Sequence, residues 1–305
     1  VVAPANIVSI RAGHASLAVQ FVSGESAVTS AFASSPIKLL TPRTRGRSVW
    51  ACTSSFGGGL VAGDETGLDL CLGPGARCFV GTQSSTKIYR NPSLLPCGHR
   101  THATLKAGSL LVFAPDPVQA FAGSSYTQCQ TFHLEPDASL VLVDWLTSGR
   151  SARGERWAFS RFASRNEIRI RSGRPADTQT PKGGNKVPEI GSSQLTDELV
   201  FLDSFQLDPA DGDFASPHRT GRFNCLATLL FLGPLIGETA EKMLEELSAR
   251  PVSRRAALVW SASPVRGGAV LRVAGEAVEA VGHELHQHLR ALSSLLGDDP
   301  WSRKW

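Results

Sequence analysis

One methionine, two tyrosines and six cysteines in 305 residues leave little room for several common designs. The cysteines (Cys52, Cys71, Cys78, Cys97, Cys129 and Cys225) form no Cys-x-x-Cys pair. Neither a zinc ribbon nor a dense disulfide scaffold is indicated, and buried reduced thiols of a cytosolic protein are expected. Cys71 and Cys78 flank the Gly73-Pro74-Gly75 turn, where a disulfide is the lesser reading. The longest uncharged apolar stretch, 223–237, is broken by Gly233-Pro234 and is shorter than the about 20 residues that span a bilayer. No membrane span is expected, nor a secretory signal, since no basic segment leads into a long apolar run near Arg11 and His14. Trimming of the N-terminus stays open.

Charge is also sparse, at 19% of residues with a net charge of +4. That mild excess favours an acidic partner without requiring one. Arg43, Arg45 and Arg47 sit in a Pro/Gly-containing loop without interleaved aromatics, which reads as a solvated loop and not as a nucleic-acid platform. Hydrolase signatures are missing as well: there is no G-x-S-x-G elbow, and Ser148-Gly149 has no histidine partner marked by the sequence. The glycines Gly57-Gly58-Gly59 suggest a phosphate cradle, but no GK[ST] follows and a strand is expected next where a helix is needed. Glycines permitting positive φ, with Asp64 capping backbone amides, account for the same residues.

What the chain has is 42% apolar residues, 29 glycines and 18 prolines, the composition of a globular protein of many turns and short strands. Its length suits one large all-β domain. A weak repeat supports this. Leu72-Gly73-Pro74-Gly75-Ala76, Leu105-Lys106-Ala107-Gly108-Ser109 and Leu134-Glu135-Pro136-Asp137-Ala138 each precede an apolar β run: 78–80, 110–113 and 140–143. The spacing of about thirty residues fits stacked layers that share a core, with Thr82, Pro115 and Asp144 at equivalent places after their strands. Three unrelated hairpin turns are the alternative.

Further strands are expected over Ser16–Val22, Val49–Ser54, Phe223–Leu232, Leu258–Ser261 and Ala269–Val273. Helices are expected over Glu238–Arg250 and Glu276–Leu296, where apolar residues recur at helical spacing. The segment 171–193 is poor in apolar residues and reads as a mobile surface loop. The expected organisation is a single domain, 1–305, with a β body over about 10–222 and a C-terminal α+β part over about 223–305.

Two stretches carry more. Phe56-Gly57-Gly58-Gly59-Leu60-Val61-Ala62-Gly63-Asp64 is followed by Leu72-Gly73-Pro74-Gly75-Ala76 and by Thr82-Gln83-Ser84-Ser85-Thr86-Lys87-Ile88-Tyr89-Arg90. Further on come Phe113 to Pro117 with Asp116, Phe121 to Ser124, Asp144 to Arg150 with Gly149, and Glu155. Together they resemble the UreD (UreH) family of urease accessory proteins, with the strongest match over 48–155. Ala62 stands where many relatives have glycine, and the final Pro300-Trp301-Ser302-Arg303-Lys304-Trp305 is similar to the family's basic tail.

The resemblance implies a mainly β, right-handed β-helix-like body with helices toward the C-terminus, cytoplasmic and non-catalytic. It also implies docking on the urease apoprotein, partnership with UreF and through it the GTPase UreG, and transient Ni²⁺ with no tightly bound cofactor. An interior nickel route is part of that picture. Asp64 and Asp144 are the carboxylates in the matching motifs, and a weak single-carboxylate path with retained water suits release. Each also reads as a turn-capping or salt-bridged aspartate, for example Asp144 with Arg150 or Lys87. Gly58, Gly59, Gly63, Thr82, Gln83, Lys87, Tyr89, Arg90, Asp116, Gly149, Arg150 and Glu155 are expected to be structural or partner-facing.

A tighter site at Cys97, His99 and His102 is a weaker metal candidate, placed in a Pro-containing loop. His283 and His286 form an i,i+3 pair on the last helix, with His288 beside them, where a solvated polar face is the plainer reading. Two other functions remain open: a metal-dependent hydrolase using Asp64, Asp144 and histidines, and a pure protein adaptor with no metal path.

Overall fold

The computed structural model describes residues 13–93, 95–173, 195–251, 253 and 255–302. The chain opens with β1 (His14–Val22), β2 (Glu25–Ala33), β3 (Ile37–Leu40), β4 (Val49–Ser55), β5 (Gly59–Leu60) and β6 (Glu65–Leu72). It continues through β7 (Arg77–Thr82), β8 (Thr86–Ile88), β9 (Cys97–Leu105), β10 (Leu110–Phe113), β11 (Val118–Ala120), β12 (Ser125–Leu134) and β13 (Ser139–Thr147). Then come β14 (Arg161–Gly173), β15 (Leu195–Leu207), β16 (Cys225–Leu232) and the helix α1 (Gly237–Ala249). The strands β17 (Leu258–Val265) and β18 (Gly268–Gly275) precede α2 (Val278–Leu289) and the short α3 (Ser293–Leu296).

The chain alternates between two sheets. In the first, ordered β15-β14-β12-β9-β6-β1-β2, the strands β1, β6, β9, β12 and β14 are parallel. In the second, β4, β7, β10 and β13 are parallel, and β16, β18 and β17 extend it antiparallel. The short β5, β8 and β11 make a narrow third side. The result is the mainly β, β-helix-like architecture expected, a solenoid of about four turns with its helices near the C-terminus.

The thirty-residue repeat is the stacking unit. Leu72, Leu105 and Leu134 are in register on adjacent strands of the first sheet. Their turns are tied one above the next, with Gly75 N–H donating to Ala107 O (3.0 Å) and Gly108 N–H to Asp137 O (3.1 Å). The glycines take φ of +69° and +68°, where a side chain would be strained.

Burial explains the two kinds of strand pattern. The inner faces of both sheets share an aliphatic core that includes Leu17, Leu70, Leu72, Leu105, Leu111 and Leu140. The outer face of the second sheet is covered by α1 through Ala240, Met243 and Leu247 and by α2 through Val281, Leu285 and Leu289. Its strands are therefore buried on both sides and read as unbroken apolar runs, as in Leu110–Phe113 and Leu140–Val143. The first sheet leaves one face to solvent, and its strands alternate.

Several expectations need correction. Cys97 to His102 belongs to β9 and not to a loop. Only Cys78, Cys97 and Cys225 are buried, and all six thiols are free; Cys71 is exposed on the first sheet while Cys78 is in the second, so the turn between them brings no bridge. The long final helix gives way to a 3₁₀ turn at Arg290–Leu292 before α3. Of the expected loop 171–193, residues 171–173 finish β14 and the rest lies outside the described residues, as do 303–305 of the tail.

The Arg43–Arg47 loop is anchored and not simply solvated. Ser48 Oγ–H donates to Leu296 O (2.7 Å) and Arg45 N–H to Asp298 Oδ2 (3.0 Å). A Cβ at Gly46 would lie 2.5 Å from Gly297 C and 2.6 Å from Leu296 O, both backbone atoms. Gly46→Ala is expected to destabilise the chain by about 1–3 kcal/mol by forcing the loop off the end of α3; urea unfolding with an unchanged midpoint would contradict that.

A second expectation comes from the helical layer. The Glu284 carboxylate lies between His288 Nε2 (3.2 Å) and the guanidinium of Arg250, which also covers the Trp260 ring at 4.2 Å. The hydrogen bond with His288, and after it Arg250, hold its pKa down to about 2 against the opposing effect of burial. A depressed folded-state pKa adds stability above the unfolded value and loses it as pH falls toward the folded one. The Tm of wild type should therefore drop between about pH 4.5 and 2 more steeply than that of Glu284→Gln; parallel Tm profiles would show that the pair contributes nothing to acid sensitivity.

Candidate functional site

Between the aliphatic core at one end of the coils and an aromatic cluster at the other (Tyr126, Trp157, Phe159, Phe162, Phe214) lies a polar layer. Its first wall comes from inward positions of the first sheet. Register places Thr66, His99, Gln128 and Ser164 in one row across β6, β9, β12 and β14. Thr101, Gln130, Asn166 and Asp203 form the next row, across β9, β12, β14 and β15. With strands about 4.8 Å apart, five strands carry these rows roughly 19 Å along the solenoid axis. Thr66, Thr101, Gln128, Gln130, Ser164 and Asn166 are all buried.

The facing wall is on the second sheet. Thr53 pairs with Thr82, and Asp144 pairs with Thr228, which pairs with Arg272. The alignment of Thr82, Pro115 and Asp144 expected from the repeat follows from the ladder, which sets Val80, Phe113 and Leu142 side by side two residues earlier.

Asp144 joins the walls. Its Oδ1 accepts from Gln128 Nε2 (3.0 Å), and its Oδ2 accepts from Ser164 Oγ (2.8 Å) and Asn166 Nδ2 (2.7 Å). Gln130 Nε2 in turn donates to Asn166 Oδ1 (2.7 Å), and Tyr126 O–H to Gln128 Oε1 (3.2 Å). Two cavities share Asp144 and Trp145 as lining. One reaches past His99, Gln128 and Gln130 to Thr82 and Asp116; the other reaches past Thr228 and Asp203 to Trp260 and Arg272. Asp144 keeps some accessible surface because it fronts these cavities, yet it is deep enough that burial raises its pKa. The three hydrogen bonds oppose that rise, and the charge of Asp203 adds to it.

Beside this carboxylate, His99 is a neutral imidazole, its pKa pushed down to about 4 by burial. Thr66 Oγ1–H donates to Gly98 O (3.1 Å), so His99 Nδ1–H donates to Thr66 Oγ1 (2.8 Å) and its Nε2 accepts from Thr101 Oγ1 (3.2 Å). Further along, Asp203 accepts from Thr228 Oγ1 (3.2 Å) and pairs with Arg272 (3.0 Å). The arrangement alternates carboxylates, amides, hydroxyls and one imidazole, each holding at least one protein hydrogen bond.

Asp64 is placed differently. Its Oδ2 accepts from Val61 N–H (2.9 Å), the turn-capping alternative, and it does not line either cavity. Gly58 and Gly63 take φ of +72° and +81° in that loop, and a Cβ on Gly59 would meet Lys87 O at 2.3 Å. Tyr89 O–H donates to Gly57 O (2.9 Å) and its ring packs edge-on against Phe121 at 5.6 Å. Gln83 N–H donates to Thr53 O (2.9 Å), and Arg90 is exposed beside Gly123. Thr82 Oγ1 and Asp116 exchange bonds of 2.9 and 2.7 Å at the cavity. Arg150 binds Glu155 through two donors and lies over the Phe121 ring at 4.3 Å, while Glu155 also accepts from Ala122 N–H (3.2 Å). Gly149, at φ +107°, leaves 2.8 Å between a would-be Cβ and Ala120 O. Asp144 is thus held by Gln128, Ser164 and Asn166, and Arg150 by Glu155.

The weaker metal candidates do not converge. On β9, Cys97 and His99 face inward and His102 faces solvent. The Cys97 thiol donates to Ser125 O (3.4 Å) and is pushed up to about 12, chiefly by burial. His283 bonds Gln287, His286 packs on Trp301, and His288 belongs with Glu284. Among the described residues no three His, Cys, Asp or Glu side chains gather at metal-binding distance. No described helix is long and apolar enough to cross a membrane.

Sequence reading missed Gln128, Gln130, Ser164, Asn166 and Asp203. The signal available was polar residues two apart, as in Gln128-Cys129-Gln130 and Ser164-Arg165-Asn166, at the spacing of one strand face.

Comparison with known proteins agrees with this architecture of motifs. A family model described as UreD urease accessory protein matches residues 11–305. The "Urease accessory protein UreD" of Sorangium cellulosum is 48% identical over 296 residues, covering 97% of this chain and 85% of the relative. That of Anaeromyxobacter sp. is 38% identical over 296 residues, covering 97% and 91%. "Urease accessory protein D" of Oryza sativa subsp. indica is 30% identical over 327 residues, covering 98% of each chain. The chain belongs to the UreD family of urease accessory proteins, which serve urease maturation.

Proposed function

We infer that this chain acts as a non-catalytic scaffold that docks on urease apoprotein and, with UreF and the GTPase UreG, helps deliver nickel to the urease active site. The observation that carries the nickel part is Asp144 lining two cavities in a polar layer that runs along the solenoid axis. Ni²⁺ takes carboxylate, imidazole and water ligands, and a conduit must release what it binds. A lone carboxylate with amide and hydroxyl neighbours meets that need better than a closed cage.

Chemistry at Asp144 favours transit over storage. An ionised carboxylate has about four acceptor positions, and three are taken by Gln128, Ser164 and Asn166. An arriving cation competes with these donors and gains a negative charge that burial otherwise disfavours. A hydrolase would need Asp64 and histidines gathered with Asp144, and Asp64 instead caps its own turn.

The test is nickel incorporation into urease by the assembled accessory complex. Asp144→Asn should leave co-purification with apo-urease and UreF intact and lower nickel content and urease activity several-fold. Incorporation equal to wild type would leave a protein adaptor with no metal path. Asp64→Asn should affect the Val61 turn and leave nickel transfer near wild type.

A further inference from the structure

The solvent face of the first sheet carries a second constellation, unrelated to the interior rows. His102 on β9 and His133 on β12 point outward from adjacent parallel strands, with ring centroids 5.2 Å apart and planes inclined at 53°. Their strand neighbours Thr101, Ala103, Phe132 and Leu134 are buried on the opposite face, which fixes the direction of both imidazoles. His102 is exposed and His133 is half-buried. Behind His133 stands Asp197 of β15, its carboxylate 3.1 Å from Nδ1.

The geometry points to a surface bis-imidazole site for one borderline divalent ion such as Ni²⁺, Zn²⁺ or Cu²⁺, held by His102 and His133 with water completing its shell. Two imidazoles bound to one metal through nitrogens about 2.1 Å from it have ring centroids about 5 Å apart, which matches the separation here. The carboxylate sets the tautomer: His133 Nδ1–H donates to Asp197, which leaves the Nε2 lone pair for a cation and strengthens it as a ligand. Imidazole pairs suit these metals and not Mg²⁺ or Ca²⁺.

Basic groups on the same face oppose a cation: Arg100 lies two residues from His102 on β9, Arg171 is the register partner of Asp197, and Arg169 on β14 is the register partner of His133. The Arg169 guanidinium pairs with Glu167 (2.5 Å), a carboxylate that Arg165 shares, and donates to Asp197 O (3.2 Å), so its charge is partly compensated and turned away from the imidazole pair. On the other side Asp69, the register partner of His102 on β6, holds His14 Nε2 at 2.8 Å and adds a further carboxylate to the same face. Among the described residues no third protein donor reaches metal-binding distance, so the ion is exchangeable.

The site is tested by isothermal titration of the full chain with NiCl₂, alongside electron paramagnetic resonance of the Cu²⁺ complex. His102→Ala and His133→Ala should each remove the same single Ni²⁺ equivalent and the nitrogen coupling of two imidazoles on Cu²⁺. Asp197→Asn should weaken that equivalent about tenfold. Asp144→Asn should leave it untouched, which separates this site from the interior route. Circular dichroism confirms folding of each variant. A wild type that takes up no ion there, or histidine variants with unaltered stoichiometry and spectra, would overturn the assignment.

Discussion

Parallel, in-register stacking is the constraint on which the rest depends. When coils repeat with each strand directly beside its equivalent, a residue type chosen at one position becomes a row through the molecule. Leucines at the repeat corner give a continuous aliphatic seam. Six residues earlier on the same strands, the same arithmetic turns Thr66, His99, Gln128 and Ser164 into a continuous polar seam. Neither seam is built from residues close in sequence, and neither exists until the coils close. The energetic burden of the polar seam is met internally, because amides, hydroxyls and Asp144 satisfy one another.

The visible motifs and the interior seam divide the work. Gly57 to Asp64, Tyr89 to Arg90 and Gly149 to Glu155 gather around β5, β8, β11 and the turn after β13, where tight glycine turns, the Tyr89–Phe121 contact and the Arg150–Glu155 pair fasten the narrow third side. That side sets the spacing between the two broad sheets, and so the width of the space that Asp144 fronts. The conspicuous motif residues thus fasten the coil, while the polar interior is lined by inconspicuous amides.

The legibility of the sequence follows from this. Strands of the second sheet were readable because helices cover their outer face and leave unbroken apolar runs, and α1 followed from Ala240, Met243 and Leu247. Asp144 was marked by the family motif, and the repeat carried it into line with Thr82 through alignment of the leucine corners. β9 stayed hidden for a physical reason: its inward positions hold Cys97, His99 and Thr101, so the apolar alternation that marks a half-buried strand is absent. β12 and β14, with Gln128, Gln130, Ser164 and Asn166 inward, are masked in the same way. The property that makes the interior polar erases the pattern by which its strands are recognised. Asp64, conspicuous in its motif, accepts from Val61 N–H, the turn-capping contact that its Gly63-Asp64 context also allowed.

Both ends of each broad parallel sheet are closed by a strand running the other way: β2 on β1, β15 on β14, β3 on β4, and β16 on β13. An open parallel edge would offer the backbone template from which another coil, or another molecule, could grow into a fibre. Reversed strands break the rise per coil, and Pro264 on the outermost β17 withholds a donor as well. The solenoid is consequently of finite length by construction. It can hold an internal seam like that of much longer repeat proteins without inheriting their tendency to polymerise.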